Sequence, residues 1–473
     1  MSEDKALTKK SENITDWYNE VVQRAELADY AATRGFMVIR PRAYEMWEHI
    51  QSDFDHTIKT KYKVKNAYFP LLIPESFFKK EQEHAKGFSP EVAWIANTDE
   101  QNRLAIRPTS ETIIYDSYSK WIRSWRDLPL RINQWCNIVR WEIGITRLFL
   151  RTKEFLWQEG HCVYANEKEA RKEALQYLKE YAKLAENLLC IPVICGEKTQ
   201  AERFAGAVNT YTIEAIMPDA KSLQMGTSHY LGTGFAKSFG IEFLDQEGKK
   251  QLGHQISWGF STRLIGAVIL MHGDDKGLVT PHALTETKIV IIPILIKGRE
   301  EQVLNEAKEL EKSLKSFGAF LDAREQYTPG AKFSEWELKG IPIRIEIGPK
   351  DLENKQVVLV RRDTLQKQFL PRKELKETIK KELKQMPIDM YNKAKNLQES
   401  LITKVETKEQ FFAESKQGRY LFVPFCGLPN CEAEIKEKTG LSSRCVPFDS
   451  KPNGKCFWCG KEKAKYTYFA KSY

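Results

Sequence analysis

The chain has 473 residues, room for roughly three domains. Its 42% hydrophobic and 29% charged content excludes a disordered chain, and no run of about 18 uncharged apolar residues is present to form a membrane-crossing helix. The net charge of +9 permits a polyanionic partner without requiring one, while nine cysteines behind a polar start that lacks a secretory pattern point to reduced thiols or a metal site, not a disulfide framework.

In chain order, residues 13–30 read as a helix with Trp17, Val21, Val22, Ala25 and Ala28 near one face and Thr15 or Asp16 as its cap. Residues 35–40 read as a short strand ended by Pro41. A second helix follows through about Lys61, with Tyr44, Trp47, Ile50, Phe54 and Ile58 at helical spacing. Residues 104–111 set a strand against Pro108 and start a helix with Thr109 or Ser110 as cap. Backbone N–H groups exposed at such a junction accommodate polar ligand groups.

Residues 137–161 are the most informative stretch. Apolar positions alternate with Arg140, Glu142, Arg147, Arg151, Glu154, Glu159 and His161. Two strands joined near residues 144–148 would bring Arg140, Glu142 and Arg151 onto one sheet face, and guanidinium forks suit carboxylate and phosphate oxygens. A solvated hairpin with surface ion pairs has the same composition.

Residues 167–189 read as an amphipathic helix capped by Asn166 with Glu169. Residues 210–245 read as strands with glycine-rich turns, carrying the polar Gln224, Thr227 and His229 on a packed segment. Residues 255–269 run from a strand through Gly259 into a helix that begins at Ser261, Thr262 and Arg263. An arginine in the first turn opposes the helix dipole, and a bound anion is one remedy.

Composition then shifts. Residues 288–296 are a continuous apolar strand, residues 300–317 an amphipathic helix, and a β-α-β-α-β-β order follows, which predicts a small, mostly parallel α/β domain. Its loops carry Arg344, Lys350, Lys355, Arg361 and Arg362, a basic rim. A charged helix covers about residues 374–401. Beyond it, Cys426 and Cys431 form a C-x4-C pair, and Cys456 and Cys459 a C-x2-C pair flanked by Gly454 and Gly460. Two close pairs of this kind suit a structural, tetrahedral zinc-thiolate site. Cys445 lies between them, as the spare or as a substitute for one of the four.

Together these pieces resemble class II aminoacyl-tRNA synthetases. Residues 35–41 before the long helix look like motif 1, Arg140-Trp141-Glu142 like motif 2, and residues 259–266 with Arg263 like motif 3. Arg107-Pro108-Thr109-Ser110-Glu111, Trp157-Gln158-Glu159-Gly160-His161, Thr227-Ser228-His229 and the four-cysteine terminus resemble prolyl-tRNA synthetases of the archaeal/eukaryotic-like type, since only about 95 residues separate His161 from Ser257, too few for an editing insertion. The resemblance implies an α+β fold with three parts: a class II antiparallel-sheet catalytic domain (1–285), an α/β anticodon-binding domain (286–372) and a zinc-containing α+β C-terminal domain (373–473). It implies a cytoplasmic homodimer, dimerised through the helix near Tyr44 and Ile58, that joins proline to tRNA(Pro) with ATP, Mg²⁺ and a structural Zn²⁺.

By the same resemblance, Arg140, Glu142 and Arg263 are catalytic. Thr109, Glu111, Arg140, Trp157, Glu159, His161 and His229 hold proline. Arg140, Glu142, Arg151, Thr152, Gln224, Thr227, Ser261 and Arg263 hold ATP. Glu337, Arg344 and Lys350 read the anticodon, Cys426, Cys431, Cys456 and Cys459 bind the metal, and Tyr473 folds back toward the site. Another class IIa synthetase and a non-catalytic tRNA-binding paralogue are the rival readings.

Overall fold

The computed structural model describes residues 6–82, 91–96 and 103–473. Eleven strands form one sheet in the order Ile402–Lys404, Tyr420–Phe425, Lys465–Ala470, Ser442–Pro447, Ile194–Glu197, Asn209–Ile216, Ser222–Gly232, His254–Ser261, Glu154–Tyr164, Leu130–Val139 and Lys65–Asn66. Its pairings are antiparallel except at the two edges. The strand Glu154–Tyr164 sits inside this sheet, and its alternation separates two environments. Gln158, Gly160 and Cys162 face an aromatic layer, where Tyr181 donates to Gln158 at 2.6 Å and the Trp258 indole N–H to Cys162 at 3.5 Å. A Cβ on Gly160 would lie 2.0 Å from the Trp258 ring, so only glycine fits there. Trp258 in turn stacks on Tyr177 at 4.1 Å. The helices Pro41–Tyr62 and Glu167–Lys183 supply Trp47, Ile50, Phe54, Tyr177 and Tyr181 to this core. Burial of each such side chain contributes about 1.5–3 kcal/mol.

Several elements differ from the sequence expectation. The first helix is Ile14–Arg24, capped by Asn13, whose side chain accepts from the backbone of Thr15 and Asp16. Glu26 turns the chain into the left-handed region (φ 60°), and Ala28–Tyr30 then pairs with Met37–Ile39, so Ala28 is buried through a hairpin. Residues expected as strand include a helix, Gly234–Phe239, which buries Phe235, Ala236 and Phe239. The apolar stripe Trp47, Ile50, Phe54 and Ile58 is at most 3% exposed within the chain's own core and cannot serve a dimer interface; Tyr44 alone of that set is exposed.

A second sheet runs Ala319–Leu321, Ile289–Pro293, Ile343–Ile347, Gln356–Arg361, Lys367–Pro371. Two of its pairings are parallel and two antiparallel, so it is mixed rather than mostly parallel. The connections after residue 347 are too short for parallel crossovers. The expected basic rim is largely absent. Arg344, Arg361 and Arg362 are 7%, 7% and 3% exposed. Arg344 pairs with Glu337 and Glu346, Arg361 with Asp363, Glu382 and Asp389, and Arg362 with Asp274 of the first unit. Lys350 and Lys355 stay exposed. The long helix Leu375–Leu401 is shared: Leu375, Ile379 and Met386 pack with this sheet, and Ala394 with the first core.

Where the main sheet crosses into the C-terminal unit, Glu214 is fully buried and pairs with Lys198 at 2.7 Å while accepting from Thr212 and Ser222. Burial alone would raise its pKa, but Lys198, Arg444 and these hydrogen bonds hold it down at about 2. A carboxylate depressed in the fold stabilises above its unfolded pKa of 4.5 and loses that contribution as pH falls toward 2, here on the order of 3 kcal/mol. Urea unfolding between pH 5 and pH 2 is therefore expected to weaken less steeply in Glu214→Gln than in the parent; equal slopes would refute this linkage.

Candidate active site

The strand Glu154–Tyr164 turns Phe155, Trp157, Glu159 and His161 toward a cleft of about 250 Å³. Thr109 and Glu111 enter it from the start of the helix Glu111–Trp121, Gln224, Thr227 and His229 from Ser222–Gly232, and Ser261 and Arg263 from the end of His254–Ser261 and the helix after it. Arg140 closes the set. Sequence reasoning missed Phe155, Glu202, Phe204, Thr210 and Ser257. Period-two spacing from Trp157 would have found Phe155; the irregular segment holding Glu202 and Phe204 carries no such signal.

At one end the groups are cationic. Arg263 donates to the carbonyls of Leu150 (3.1 Å) and Gln224 (3.4 Å), so part of the remedy for its place in the first helical turn is internal. Burial first, then the neighbouring Arg140 and Arg151, push its pKa down to about 10. Among the described residues no hydrogen bond or ion pair occupies the Arg140 guanidinium. Burial lowers its pKa, opposed by the fields of Glu142, Glu111 and Glu159. Arg140 therefore stands between two unlike groups, the cationic end at Arg263 and the carboxylates.

At the other end the polar groups are buried and mutually bound. Glu159 accepts from Gln134 (2.9 Å), Ser110, Cys136 (3.3 Å) and His161 (3.1 Å). Burial alone would raise its pKa, but His161, Ser110 and Gln134 bring it below the usual range. His161 meets Tyr115 through its other nitrogen at 3.1 Å. Ser110 is the helix cap residue, yet its hydroxyl serves Glu159. Thr109 donates to Glu111. His229 meets Thr210 at 3.0 Å and packs on Phe204 at 4.6 Å; burial, then His161, push its pKa down to about 3, so its ring is neutral near pH 7.

Glu142, Arg151 and Thr152 do not line the cleft. Strand pairing stops at Val139↔Glu154, so Arg140, Glu142 and Arg151 belong to the connection between the strands and not to a sheet face. The run Leu148, Phe149, Leu150 is buried on all three residues, which breaks the alternation, and Phe149 adopts a φ of 61°. Glu142 and Arg151 are exposed, and Thr152 spends its hydroxyl on the Glu154 carbonyl at 2.6 Å. Tyr473 lies outside the cleft too, its ring between Arg147 and Lys221. Glu337 and Arg344 are paired at the start of the strand Ile343–Ile347, whereas Lys350 follows its far end, so the structure does not bring these three together.

The sulfurs of Cys426, Cys431 and Cys459 lie within 4.8 Å of one another. Cys426 and Cys459 are 3.7 Å apart, matching the edge of a tetrahedron with metal–sulfur bonds of about 2.3 Å. Cys456 adjoins them and perturbs both Cys426 and Cys459. Cys445 is buried elsewhere, facing Glu214 and Lys198, which leaves it as the spare.

Residues 93–272 match the family model for the class II tRNA synthetase core domain (G, H, P, S and T), residues 288–382 the anticodon-binding domain, and residues 408–473 the prolyl-tRNA synthetase C-terminal domain. The chain is 47% identical to a proline–tRNA ligase of Alkaliphilus oremlandii over 99% of its length and 98% of that protein. It is 46% identical, with the same coverage, to proline–tRNA ligase 2 of Clostridioides difficile and to a proline–tRNA ligase of Natranaerobius thermophilus.

Proposed function

The chain belongs to the proline–tRNA ligase family of class II aminoacyl-tRNA synthetases, and from that premise we propose how its residues divide the work. It is an aminoacyl-tRNA ligase that activates proline with ATP and transfers it to tRNA(Pro). Residues between His161 and Ser257 fold into the core helix and sheet, with no inserted editing domain.

One observation carries the site reading: Arg140 lines the same cleft as Arg263 on one side and the carboxylates of Glu111 and Glu159 on the other. ATP would lie with its phosphates toward Arg140 and Arg263, the adenosine side along Gln224, Thr227 and Ser261, while Glu142 and Arg151 act from the exposed connection through their charge. Proline would place its ring nitrogen near Thr109 and Glu111 and its ring against Trp157 and His229. Glu159 and His161 already hold each other, so they fix the wall rather than rearrange. The proline carboxylate oxygen attacks the α-phosphorus, the bond to the bridging oxygen breaks, and pyrophosphate leaves with those electrons. A tRNA ribose hydroxyl then attacks the carbonyl and gives up its proton, the bond from that carbonyl to the phosphate oxygen breaks, and AMP departs with those electrons. Arg140, donating to carboxylate and α-phosphate together, offsets the repulsion between two anions. Mg²⁺ would bind with the ATP phosphates and neutralise their charge.

Cys426, Cys431, Cys456 and Cys459 would hold a structural Zn²⁺. We place the domain limits at 285 and 372, the second just before the helix Leu375–Leu401, which packs on both cores. A homodimer would use Tyr30, Val38 and Tyr44, which are 49%, 52% and 43% exposed, rather than the buried stripe after them. No helix among the described residues is long and apolar enough to cross a membrane; the cytoplasm is the compartment that fits the reaction.

Pyrophosphate exchange with proline, alanine and cysteine tests the substrate reading. Proline should drive it fastest. Alanine should be activated measurably, because a pocket rejects a smaller apolar ligand by only about 10–200-fold. Exchange driven equally by another amino acid, or an alanine rate below about 10⁻⁵ of proline's, would contradict it. For tRNA binding, removing Lys350 and Lys355 together should reduce the slope of log affinity against log salt by about one per lysine. Arg344→Ala should instead lower stability, since it leaves the buried Glu346 with Lys367 alone and Glu337 with Lys276 alone. An unchanged slope in the double lysine variant would exclude that edge as a tRNA surface.

A further inference from the structure

The wall of the cleft beside His229 is an irregular segment, residues 198–208, that supplies Glu202 and Phe204. Its internal support is thin. Glu202 N–H donates to the Thr199 carbonyl (3.2 Å), Ala207 N–H to the Phe204 carbonyl (3.0 Å), and Phe204 N–H to the Thr210 hydroxyl (3.0 Å). Ala201, Gly206 and Val208 face solvent. A loop held by so few bonds opens at low cost.

The two ends of the loop are tied to the catalytic sheet, by Lys198 N–H to the Thr210 carbonyl (2.8 Å), Lys198 to Glu214 (2.7 Å) and Val208 N–H to the Tyr230 carbonyl (2.8 Å), and the residues between them are gripped from the C-terminal unit. The strand Ser442–Pro447 pairs directly with Ile194–Glu197, the strand that leads into the loop. That approach is close enough that a Cβ on Gly196 would sit 2.5 Å from the Val446 carbonyl oxygen. Glu432, on the helix Pro429–Thr439 and 2% exposed, accepts from the Thr199 hydroxyl at 2.7 Å and from Ser443 N–H at 3.2 Å. Thr199 also meets the Ser443 hydroxyl at 2.9 Å. Arg444, 5% exposed, reaches Glu202 at 4.0 Å and Glu214 at 3.5 Å. So the loop is pinned at its root by Glu432 and near its tip by Arg444, and the residue after that tip contact but one is Phe204, packed on His229.

We propose that Glu432 and Arg444 are positioning residues for the proline end of the cleft, holding residues 198–208 so that Glu202 and Phe204 close the wall beside His229. This rests on the assignment of that end to proline. Neither residue touches the cleft; both act through the loop. The C-terminal unit thereby becomes a working part of amino-acid recognition; through the loop its effect falls on proline, because the ATP-facing groups hang on other strands, while Arg444 and Glu214 also act on Arg263 by charge, so Thr199→Val and Glu432→Gln isolate the loop.

The test uses the full-length chain and proline-dependent pyrophosphate exchange, with KM for proline and for ATP measured separately and the thermal midpoint recorded. Thr199→Val removes the hydroxyl from the loop side, Glu432→Gln and Arg444→Met weaken the grip from the other side, and Arg444→Lys keeps a charge. The first three should raise KM for proline about three- to tenfold with KM for ATP within about twofold, and Arg444→Lys should recover part of the loss. Phe204→Ala is the control for the pocket and should also raise KM for proline. If Phe204→Ala raises it and the others leave it at the parent value, the C-terminal grip is excluded while the pocket assignment stands. If Phe204→Ala has no effect either, the proline end lies elsewhere and both readings fall. Equal rises in both KM values would mark a general structural defect and overturn the proposal. Should Arg444→Met lower the midpoint, Thr199→Val decides.

Discussion

Replacing Arg140 with alanine is expected to lower proline-dependent pyrophosphate exchange by about 10³-fold while leaving the thermal midpoint nearly unchanged. The size follows from the contacts proposed for it. Charge-assisted hydrogen bonds to the proline carboxylate and to the α-phosphate are worth about 1.5–3 kcal/mol each, and losing both removes roughly 4 kcal/mol from the transition state. The unchanged stability follows from its surroundings, since no hydrogen bond or ion pair among the described residues occupies the guanidinium. Its packing partner is the Phe155 ring, 5.6 Å away, so alanine forfeits one cation–π contact and relieves part of the desolvation cost of the charge in the empty enzyme. Arg140→Lys keeps the charge but loses the planar fork, and should fall between the two. Exchange at the parent rate in Arg140→Ala would sink the division of the site described above.

The second large effect is expected at the cysteines. The C-terminal unit packs Phe411, Leu421, Val423, Phe425, Ile435, Trp458 and Phe469 into a small core of its own, with Cys431 and Cys456 at its margin. Cores of this size rarely stabilise themselves, and a structural zinc supplies an apparent 10–16 kcal/mol in small domains. Cys459 is exposed, so Cys459→Ser perturbs packing little and reports on the metal. The parent should carry one zinc per chain, and Cys459→Ser should carry much less. Amide protection across Tyr420–Phe425 and Lys465–Ala470 should fall in the variant while that of His254–Ser261 is kept. A parent free of zinc with full protection in those strands would show that the thiols do not serve a metal.

These sites differ in how far the sequence alone revealed them, and the reason is physical. Where chemistry follows local periodicity, it was legible. Trp157, Glu159 and His161 share a sheet face because strands alternate, Arg263 stands out because it opposes a helix dipole, and the cysteine pairs show in their spacing. What depended on distant partners was not. Arg344, Arg361 and Arg362 look like a basic rim because Glu337, Glu382, Asp389 and Asp274 meet them only in three dimensions. The helix Pro41–Tyr62 looked like an interface because an apolar stripe does not say whether its cover is its own chain or a second copy. Arg140, Glu142 and Arg151 read as strand because the alternation persists for some residues before Leu148, Phe149 and Leu150 break it. The continuity of one sheet from the catalytic unit into the C-terminal unit left no trace in the sequence, since it rests on a two-residue pairing between Gly196–Glu197 and Val446–Pro447.

The central claim is that one arginine joins two substrates lying in a single cleft. The most direct measurement is a structure of the protein with a non-hydrolysable prolyl-adenylate analogue. The account predicts the analogue's phosphate-position oxygen within hydrogen-bond reach of Arg140, its pyrrolidine nitrogen near Thr109 and Glu111, and its ring beside Trp157 and His229. An analogue bound with its pyrrolidine ring at the Arg263 end, or with Arg140 out of reach of its linking group, would contradict it.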